Sequence, residues 1–514
     1  MTRGWALPSV GLDAIGRLAE LIALRLRSGD VIALRGDLGA GKTTFARALI
    51  RTLLSDPDAE VPSPTFPLVQ TYGTPRLPVA HFDLYRVTSA DDLVEIGFEE
   101  AGRDGLILVE WPERAEPALS DDRLDIVLSD GPSADLRAVA VTAHGSWAPR
   151  LQRLVELRAF LDVALGSEPP VHLAYLQGDA STRGYARVIR SGRESLVLMD
   201  SPAMPDGPPI RDGQSYSRIA RLAENVTPFV ALGTALGRIG LSVPGIIAQD
   251  LDRGFVLLED MGDLTFGRAV SEGYDQRDLW LTAVDTLVAL RQTPLPAALP
   301  MPDGTLYRPP RFDRGALEIE IELILDWYWP AVKGTAAPDT VRRDLMALWS
   351  PILDAMLAEP AGLFLRDYHS PNLFWLPDRQ GPARVGVIDF QDALAEPWAY
   401  DVAALLQDAR VDVSQELERA GLARYGAAVA QFEPAFDPQR FAALYASFGA
   451  QRNTRLVGLW VRLWKRDGKT QYLQHMARTW DYLARNLAHP ELMPLRSWYD
   501  RHFPLDVRNR PLIA

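Results

Sequence analysis

Apolar positions near the start of the chain recur at two different periods. Leu12, Ile15, Leu18, Leu21, Ile22 and Leu26 are spaced by three and four residues, which predicts a helix with one buried face over residues 12–28. Val31-Ile32-Ala33-Leu34 is an unbroken apolar run, and LILV (106–109) and DIVL (125–128) are similar; such short runs suit buried strands. Helical spacing returns at 44–54. These elements predict a small α/β domain over residues 1–147. Residues 148–166 then predict an amphipathic helix, broken by SEPPV. RVIR (187–190), SLVLMD (195–200) and FVLLEDMG (255–262) read as strands. From about residue 265 helical patterns dominate, in LWLTAVDTLVAL, ALEIEIELILDWYW and FAALYASFGAQRNTRLVGLWVRLW. Strand-rich sequence followed by helix-rich sequence predicts a bilobal α+β domain over 148–514, with an N-lobe at about 148–262 and a C-lobe at about 263–514. The junction is short, no internal repeat is present, and the proline-rich stretches 202–209 and 294–310 fit surface loops. The two domains are expected to have separate cores.

Composition narrows the chemistry. Hydrophobic residues make up 47% of the 514, enough to build large cores, and general disorder is excluded. The formal charge of −13 opposes direct binding to nucleic acid. The absence of cysteine removes disulfides, thiolate metal sites and cysteine nucleophiles. Seven histidines stand far apart, with no pair at zinc-binding spacing. No apolar run is long enough to span a membrane, and MTRGWALPSV lacks the core of a signal peptide, so a soluble cytoplasmic protein is expected.

Two motifs then point to phosphate chemistry. GDLGAGKT (36–43) lies between the strand at 31–34 and the helix at 44–54. In that context Gly36, Gly39 and Gly41 let backbone N–H groups close around phosphates. Lys42 reaches the β/γ-phosphates, Thr43 ligates Mg²⁺, and Thr44 opens the helix. Asp83 in HFDLYR and Glu110 in LILVEWPE are candidate carboxylates for ATP hydrolysis, although each taken alone reads as readily as a surface acid at a strand end, and the absence of NKxD disfavours a GTPase.

The second motif is LRDYHSPNLF (365–374), with Asp367 five residues before Asn372 and, in VGVIDF, Asp389 twenty-two residues beyond Asp367. Asp–x4–Asn with a later Asp is the set by which kinase-like enzymes accept a hydroxyl proton (Asp367) and hold Mg²⁺ (Asn372, Asp389). Upstream, GDASTRGYARV (178–188) predicts a hairpin whose Ser181, Thr182 and Arg183 cover phosphate. The backbone at Leu258–Asp260, centred on Glu259, is expected to meet adenine. Asp401 reads as a charge at a helix N-terminus.

GDLGAGKTT, SPTF (63–66), HFDLYR and VEWPER, in that order, resemble the TsaE family of small ATPases over about residues 8–145. The resemblance implies service in threonylcarbamoyl modification of adenosine 37 in tRNA, with TsaB- and TsaD-type proteins as partners and tRNA reached only through them. It implies Thr43 and Asp83 at the Mg²⁺, Glu110 as the hydrolytic acid and residues 63–66 as a switch-like loop. Trp111 is expected either to pack by the nucleotide or to be an ordinary core residue.

GDAS…R.Y.RV, LVLMDSP, LLEDMGD, LRDYHSPNLFWL, VGVIDFQDA and QRNTRLVGLWVRL resemble the aminoglycoside/choline-kinase-like phosphotransferases. Among these they look most like the AmgK kinases, which phosphorylate the anomeric hydroxyl of N-acetylmuramate and N-acetylglucosamine in peptidoglycan recycling. The whole chain thus reads as a fusion of an ATPase and a sugar-1-kinase, using ATP and Mg²⁺. One departure is Met199, where kinases of this kind usually carry a strand lysine. Arg187, Arg190 or another cation substitutes, or the half is an inactive pseudokinase; the intact Asp367, Asn372 and Asp389 argue against the latter. Sugar-contact candidates are Glu322, Arg452 and Asn453, with Trp327, Tyr328, Trp375 and Trp398 as stacking aromatics, though each taken singly reads more often as a core or surface residue than as a ligand; His369 is not in base position. An aminoglycoside, choline or homoserine acceptor, or a non-catalytic scaffold, is the alternative.

Overall fold

The computed structural model describes residues 3–513 apart from 88–92, 94, 134, 167–170, 177–182, 295, 360–361 and 397. The chain forms two compact units, Met1–Ser201 with Ile247–Asp260, and Pro202–Ile246 with Met261–Ala514. No helix among the described residues is long and apolar enough to cross a membrane.

The first unit contains two sheets. Strands β1 (Arg3–Val10), β2 (Val31–Arg35), β3 (Val69–Tyr72), β4 (Val79–Asp83), β5 (Leu106–Glu110), β6 (Leu124–Asp130) and β7 (Arg137–Ala143) form one sheet in the order β1-β7-β6-β2-β5-β4-β3. Its centre is parallel, β6-β2-β5-β4, and its edges are antiparallel. Helix α1 (Leu12–Ala23) precedes β2, and α2 (Lys42–Leu54) follows it. The central strands β4 and β5 are buried at every position; β5 accordingly reads as a continuous apolar run up to Glu110, whereas β4 buries His81 and Asp83. The turn from β2 to α2 demands glycine at one point above all. Gly36 has φ +136°, and a Cβ there would sit 2.1 Å from the Leu128 carbonyl oxygen.

The second sheet contains β8 (His172–Leu176), β9 (Gly184–Ile189), β10 (Leu196–Asp200), β11 (Ile246–Asp250) and β12 (Phe255–Glu259), in the order β11-β12-β10-β9-β8. Helix α3 (Trp147–Leu165) lies in the chain between the two sheets and buries Leu151, Leu154, Leu157 and Leu161. The expectation of separate cores is corrected here. One apolar cluster runs from Leu34, Ile126 and Val141 of the first sheet, through those leucines, to Val188, Leu198 and Leu257 of the second. Ion pairs reinforce it. Arg150 of α3 holds Asp30 through two bonds of 2.7 and 2.8 Å, and Asp200 at the end of β10 pairs with Arg153 of α3 and with Arg25. Glu20 of α1 accepts the Leu173 N–H at 2.8 Å.

The second unit is mainly helical. Its axis is the 30-residue helix Pro438–Asp467, buried on nearly all sides from Phe441 to Leu463. Helix Arg314–Leu323 crosses it so closely that a Cβ at Gly458 would lie 2.3 Å from the Leu323 backbone. Two short antiparallel ribbons, Gly362–Phe364 with Leu394–Glu396 and Leu373–Trp375 with Val385–Val387, carry the loops of interest.

Candidate functional sites

The first site forms at the carboxyl ends of the parallel strands. Asp83 and Glu110 are register partners at the ends of β4 and β5, so two carboxylates stand side by side on adjacent strands. Both are buried. Glu110 accepts from Thr43 Oγ1 at 2.9 Å and lies 3.0 Å from His81 Nε2. Asp83 Oδ2 accepts from Ser63 Oγ at 2.9 Å and Thr65 Oγ1 at 3.0 Å, which ties the 63–66 loop to the strand end. Lys42 Nζ donates to the carbonyls of Gly36 and Asp37 at 2.8 and 2.9 Å and lies 3.7 Å from the Trp111 ring centroid. Burial lowers the Lys42 pKa from its ordinary value; Glu110 and Asp83 oppose that shift. Gly39 and Gly41 both have positive φ, and Thr44 lies in the first turn of α2. Trp111 is half-buried with φ +58°, a left-handed conformation uncommon for a large side chain, and its ring also meets Tyr85.

His81 was not foreseen. It is fully buried, and its contact orients the carboxylate of Glu110. The available signal was alternation: His81 and Asp83 are two residues apart on one strand and so share a face.

The second site lies on the loops between the two ribbons of the helical unit. Asn372 Nδ2 donates to the Asp367 carbonyl at 3.0 Å and to Asp389 Oδ2 at 3.4 Å, so the three residues of the motif converge. Gln391 Nε2 donates to the other oxygen of Asp389 at 2.8 Å. The loop is held by buried carboxylates. Asp401 accepts the N–H groups of Leu365 at 2.5 Å and Arg366 at 2.9 Å, and Asp408 accepts that of Ser370 at 2.6 Å. Asp401 therefore anchors the Asp367 loop as well as standing in a first helical turn. Burial pushes its pKa up to about 7 against those two bonds. Arg366, with φ +70°, is buried and pairs with the buried Glu320. His369 Nε2 is 3.9 Å from Asp367 Oδ1. Burial, aided by Arg410, Arg452 and Arg455, holds its pKa well below the ordinary imidazole value, so the ring is neutral near pH 7.

Both sites present hard oxygen donors. Thr43 with Asp83 and Glu110, and Asn372 with Asp389, are of the chemistry that suits Mg²⁺.

Of the nucleotide-side candidates in the sheet β8–β12, Ser181 and Thr182 lie outside the described residues. Arg183 is half-buried just before β9, and Glu259 is half-buried at the end of β12. Met199 is buried in β10, in register with Tyr185 and Val256. Its proposed replacements have other engagements. Arg187 pairs with Asp260 at 2.6 Å, and Arg190 donates to the Glu194 carbonyl at 2.8 Å.

The sugar candidates are dispersed. Glu322 forms ion pairs with Arg211 and Arg342. Arg452 is buried near Asp367, with a 3.4 Å contact to the Gln407 carbonyl and an Nε that has no partner among the described residues. Asn453 is fully enclosed and donates to Gln407 Oε1 and the Gly449 carbonyl, both at 2.8 Å, so the structure places it in the core and not at a surface a sugar can reach. Tyr328 and Trp375 are likewise core residues, packed on Phe503 and Phe266; Trp327 and Trp398 are half-buried.

Comparison with known proteins assigns the two sites to two families. The family model "Threonylcarbamoyl adenosine biosynthesis protein TsaE" matches residues 11–138, and "Phosphotransferase enzyme family" matches 172–444. An N-acetylmuramate/N-acetylglucosamine kinase from Caulobacter vibrioides is 38% identical over 342 residues, which is 65% of this chain and 92% of that protein. A tRNA threonylcarbamoyladenosine biosynthesis protein TsaE from Rickettsia prowazekii is 41% identical over 110 residues, 21% of this chain and 76% of that protein. Among solved structures, a choline/ethanolamine kinase family protein from Mesorhizobium loti matches at 14% identity, covering 67% of this chain and 98% of that one, with a TM-score of 0.42.

Proposed function

Since the chain belongs to the phosphotransferase enzyme family and, through its first part, to the TsaE family, we propose that it is a bifunctional ATP-using protein. Its first part serves as the ATPase of tRNA threonylcarbamoyladenosine formation, acting with TsaB- and TsaD-type proteins. Its second part phosphorylates the anomeric hydroxyl of N-acetylmuramate or N-acetylglucosamine for peptidoglycan recycling. Both activities draw on cytoplasmic ATP, which is where we place the protein.

The observation that carries the kinase reading is the convergence of Asp367, Asn372 and Asp389. In this reading Asp367 accepts the proton of the sugar hydroxyl as that oxygen attacks the γ-phosphate. Asn372 and Asp389 hold Mg²⁺, which neutralises phosphate charge when bound. The anchors Asp401 and Asp408 keep the Asp367 loop in place, and His369, made a weaker base by burial, does not compete for the proton. At the first site, Gly36, Gly39, Gly41, Lys42 and Thr44 cradle the phosphates, Thr43 and Asp83 hold the metal, and Glu110, oriented by His81, directs water.

The test is to incubate the purified protein with Mg-ATP and a panel of acceptors and to locate the new phosphate by phosphorus NMR. A phosphate on the anomeric oxygen of an amino sugar is expected. Turnover of an aminoglycoside, choline or homoserine with no reaction on any amino sugar would refute the reading.

A further inference from the structure

The helical unit contains a cavity of about 460 Å³ whose lining includes Arg218, Arg221, Arg308, Tyr307, Asn225 and Gln391. Gln391 connects this cavity to the chemistry. It is buried, and its amide donates to Asp389 Oδ1 at 2.8 Å; Asp389 in turn lies 3.4 Å from the amide of Asn372, which also bonds the Asp367 carbonyl. One side chain therefore separates the cavity from the kinase cluster. The volume is in the range of small-ligand sites.

The lining is basic, and its three guanidinium groups differ. Arg218 pairs with Asp206 and with Glu224, which also lines the cavity, and Arg221 pairs with Asp313. Arg308 is exposed and makes no ion pair or hydrogen bond among the described residues. Next to it Tyr307 remains a neutral hydroxyl, because burial and Asp392 push its pKa up to about 12. An unpaired, planar guanidinium beside a neutral hydroxyl is suited to a carboxylate, which can accept two parallel N–H bonds. The reaction described above makes no use of it.

We propose that this cavity is an acid subsite for the sugar acceptor, in which Arg308 binds a carboxylate borne by the sugar. The inference rests on the sugar-kinase reading and deepens it. N-acetylmuramate and N-acetylglucosamine differ by one lactyl ether on C3, which carries the only carboxylate. That substituent stands away from the anomeric hydroxyl, so a subsite for it must lie beside the reacting cluster and not within it. Gln391 marks such a position. The subsite makes the acidic amino sugar the preferred substrate and leaves the neutral one to bind without the ion pair.

The experiment compares the full chain with its R308Q and R308K variants. Arg308 is exposed, so neither substitution disturbs the core. Two readouts are taken with both sugars: kcat/KM, and equilibrium binding by calorimetry in the presence of a non-hydrolysable ATP analogue. R308Q is expected to lose about 10-fold on N-acetylmuramate, as for a charge-assisted hydrogen bond, and to stay within about twofold on N-acetylglucosamine. R308K is expected to recover only part of the loss, since lysine keeps the charge but not the two parallel N–H bonds. Equal losses on both sugars, or no loss on either, would overturn the proposal. A raised KM for ATP with both sugars would also overturn it, since Arg308 would then serve the nucleotide. If the wild-type protein phosphorylates neither sugar, the functional reading fails by itself. The binding measurement still decides the subsite: weaker N-acetylmuramate binding by R308Q supports it, and unchanged or absent binding overturns it.

Discussion

The two phosphate sites place their carboxylates by different means. Asp83 and Glu110 are register partners at the ends of adjacent parallel strands, so backbone pairing alone brings them together. Asp367, Asn372 and Asp389 lie on loops at the ends of two-stranded ribbons, where the backbone bond from the Ile388 N–H to the Asn372 carbonyl at 3.0 Å joins two of the loops but does not hold Asp367. Their positions depend on buried acids, Asp401 and Asp408, that accept loop N–H groups. Strand ends within a sheet draw their support from many backbone bonds, whereas a loop concentrates it in a few side chains. Single substitutions remote from the reacting atoms should therefore harm the second site more than the first.

The largest effect is expected at the reacting groups. Asp367→Ala should lower sugar phosphorylation by about 10²–10⁴, the range for loss of a general base, in steady-state assays. A change below about threefold would remove Asp367 from that role. The corresponding substitution at the first site is Lys42→Ala, at the start of α2. It should reduce ATP hydrolysis, measured with the TsaB- and TsaD-type partners, by about 10²–10³, as for loss of one preorganised donor. Because the Lys42 ammonium bonds the loop carbonyls and faces Trp111 among the described residues, sugar phosphorylation should stay within about twofold. A greater loss in a protein still folded by circular dichroism would show that the sites communicate.

A third substitution tests whether the two sheets of the first unit are energetically one body. Leu157 of α3 is buried in the cluster that spans both. Leu157→Ala should destabilise the protein by about 2–5 kcal/mol in denaturant unfolding, the range for a buried leucine truncation. Both sheets should lose structure in a single transition. Separate transitions, with only one shifted, would show that the continuous apolar cluster does not make them cooperative.

The smallest effect concerns pH. The Asp401 pKa is raised from 3.8 to about 7 in the folded protein, so there the folded state binds more protons than the unfolded state. Its contribution to stability is full below the unfolded value, declines as pH rises between the two, and is constant above about 7. Asp401→Asn should remove that slope from the pH dependence of the denaturation midpoint, while lowering the midpoint overall through poorer acceptance of the two loop N–H groups. A slope unchanged in the variant would assign it to other groups.

What was legible beforehand, and what was not, follows from the range over which each feature is encoded. GDLGAGKT and the Asp367–Asn372 spacing are local: a phosphate loop or a catalytic loop needs particular residues within a few positions, and the sequence alone determined both, along with the strands and helices that flank them. Buried runs such as Leu106–Val109 were equally plain, because a strand covered on both faces carries few polar positions. Asn453 was misleading because a polar residue on an apolar helix suggests a ligand contact. Helix Pro438–Asp467 is buried on nearly every side, so the amide is spent on Gln407, a residue distant in sequence. Asp401 looked like a helix charge until the chain brought the Leu365 and Arg366 N–H groups to it. The single cluster around α3 could not be read either. An amphipathic stripe announces that a face is buried but not by how many partners, and only the tertiary structure put a sheet from each half of the sequence against the same leucines.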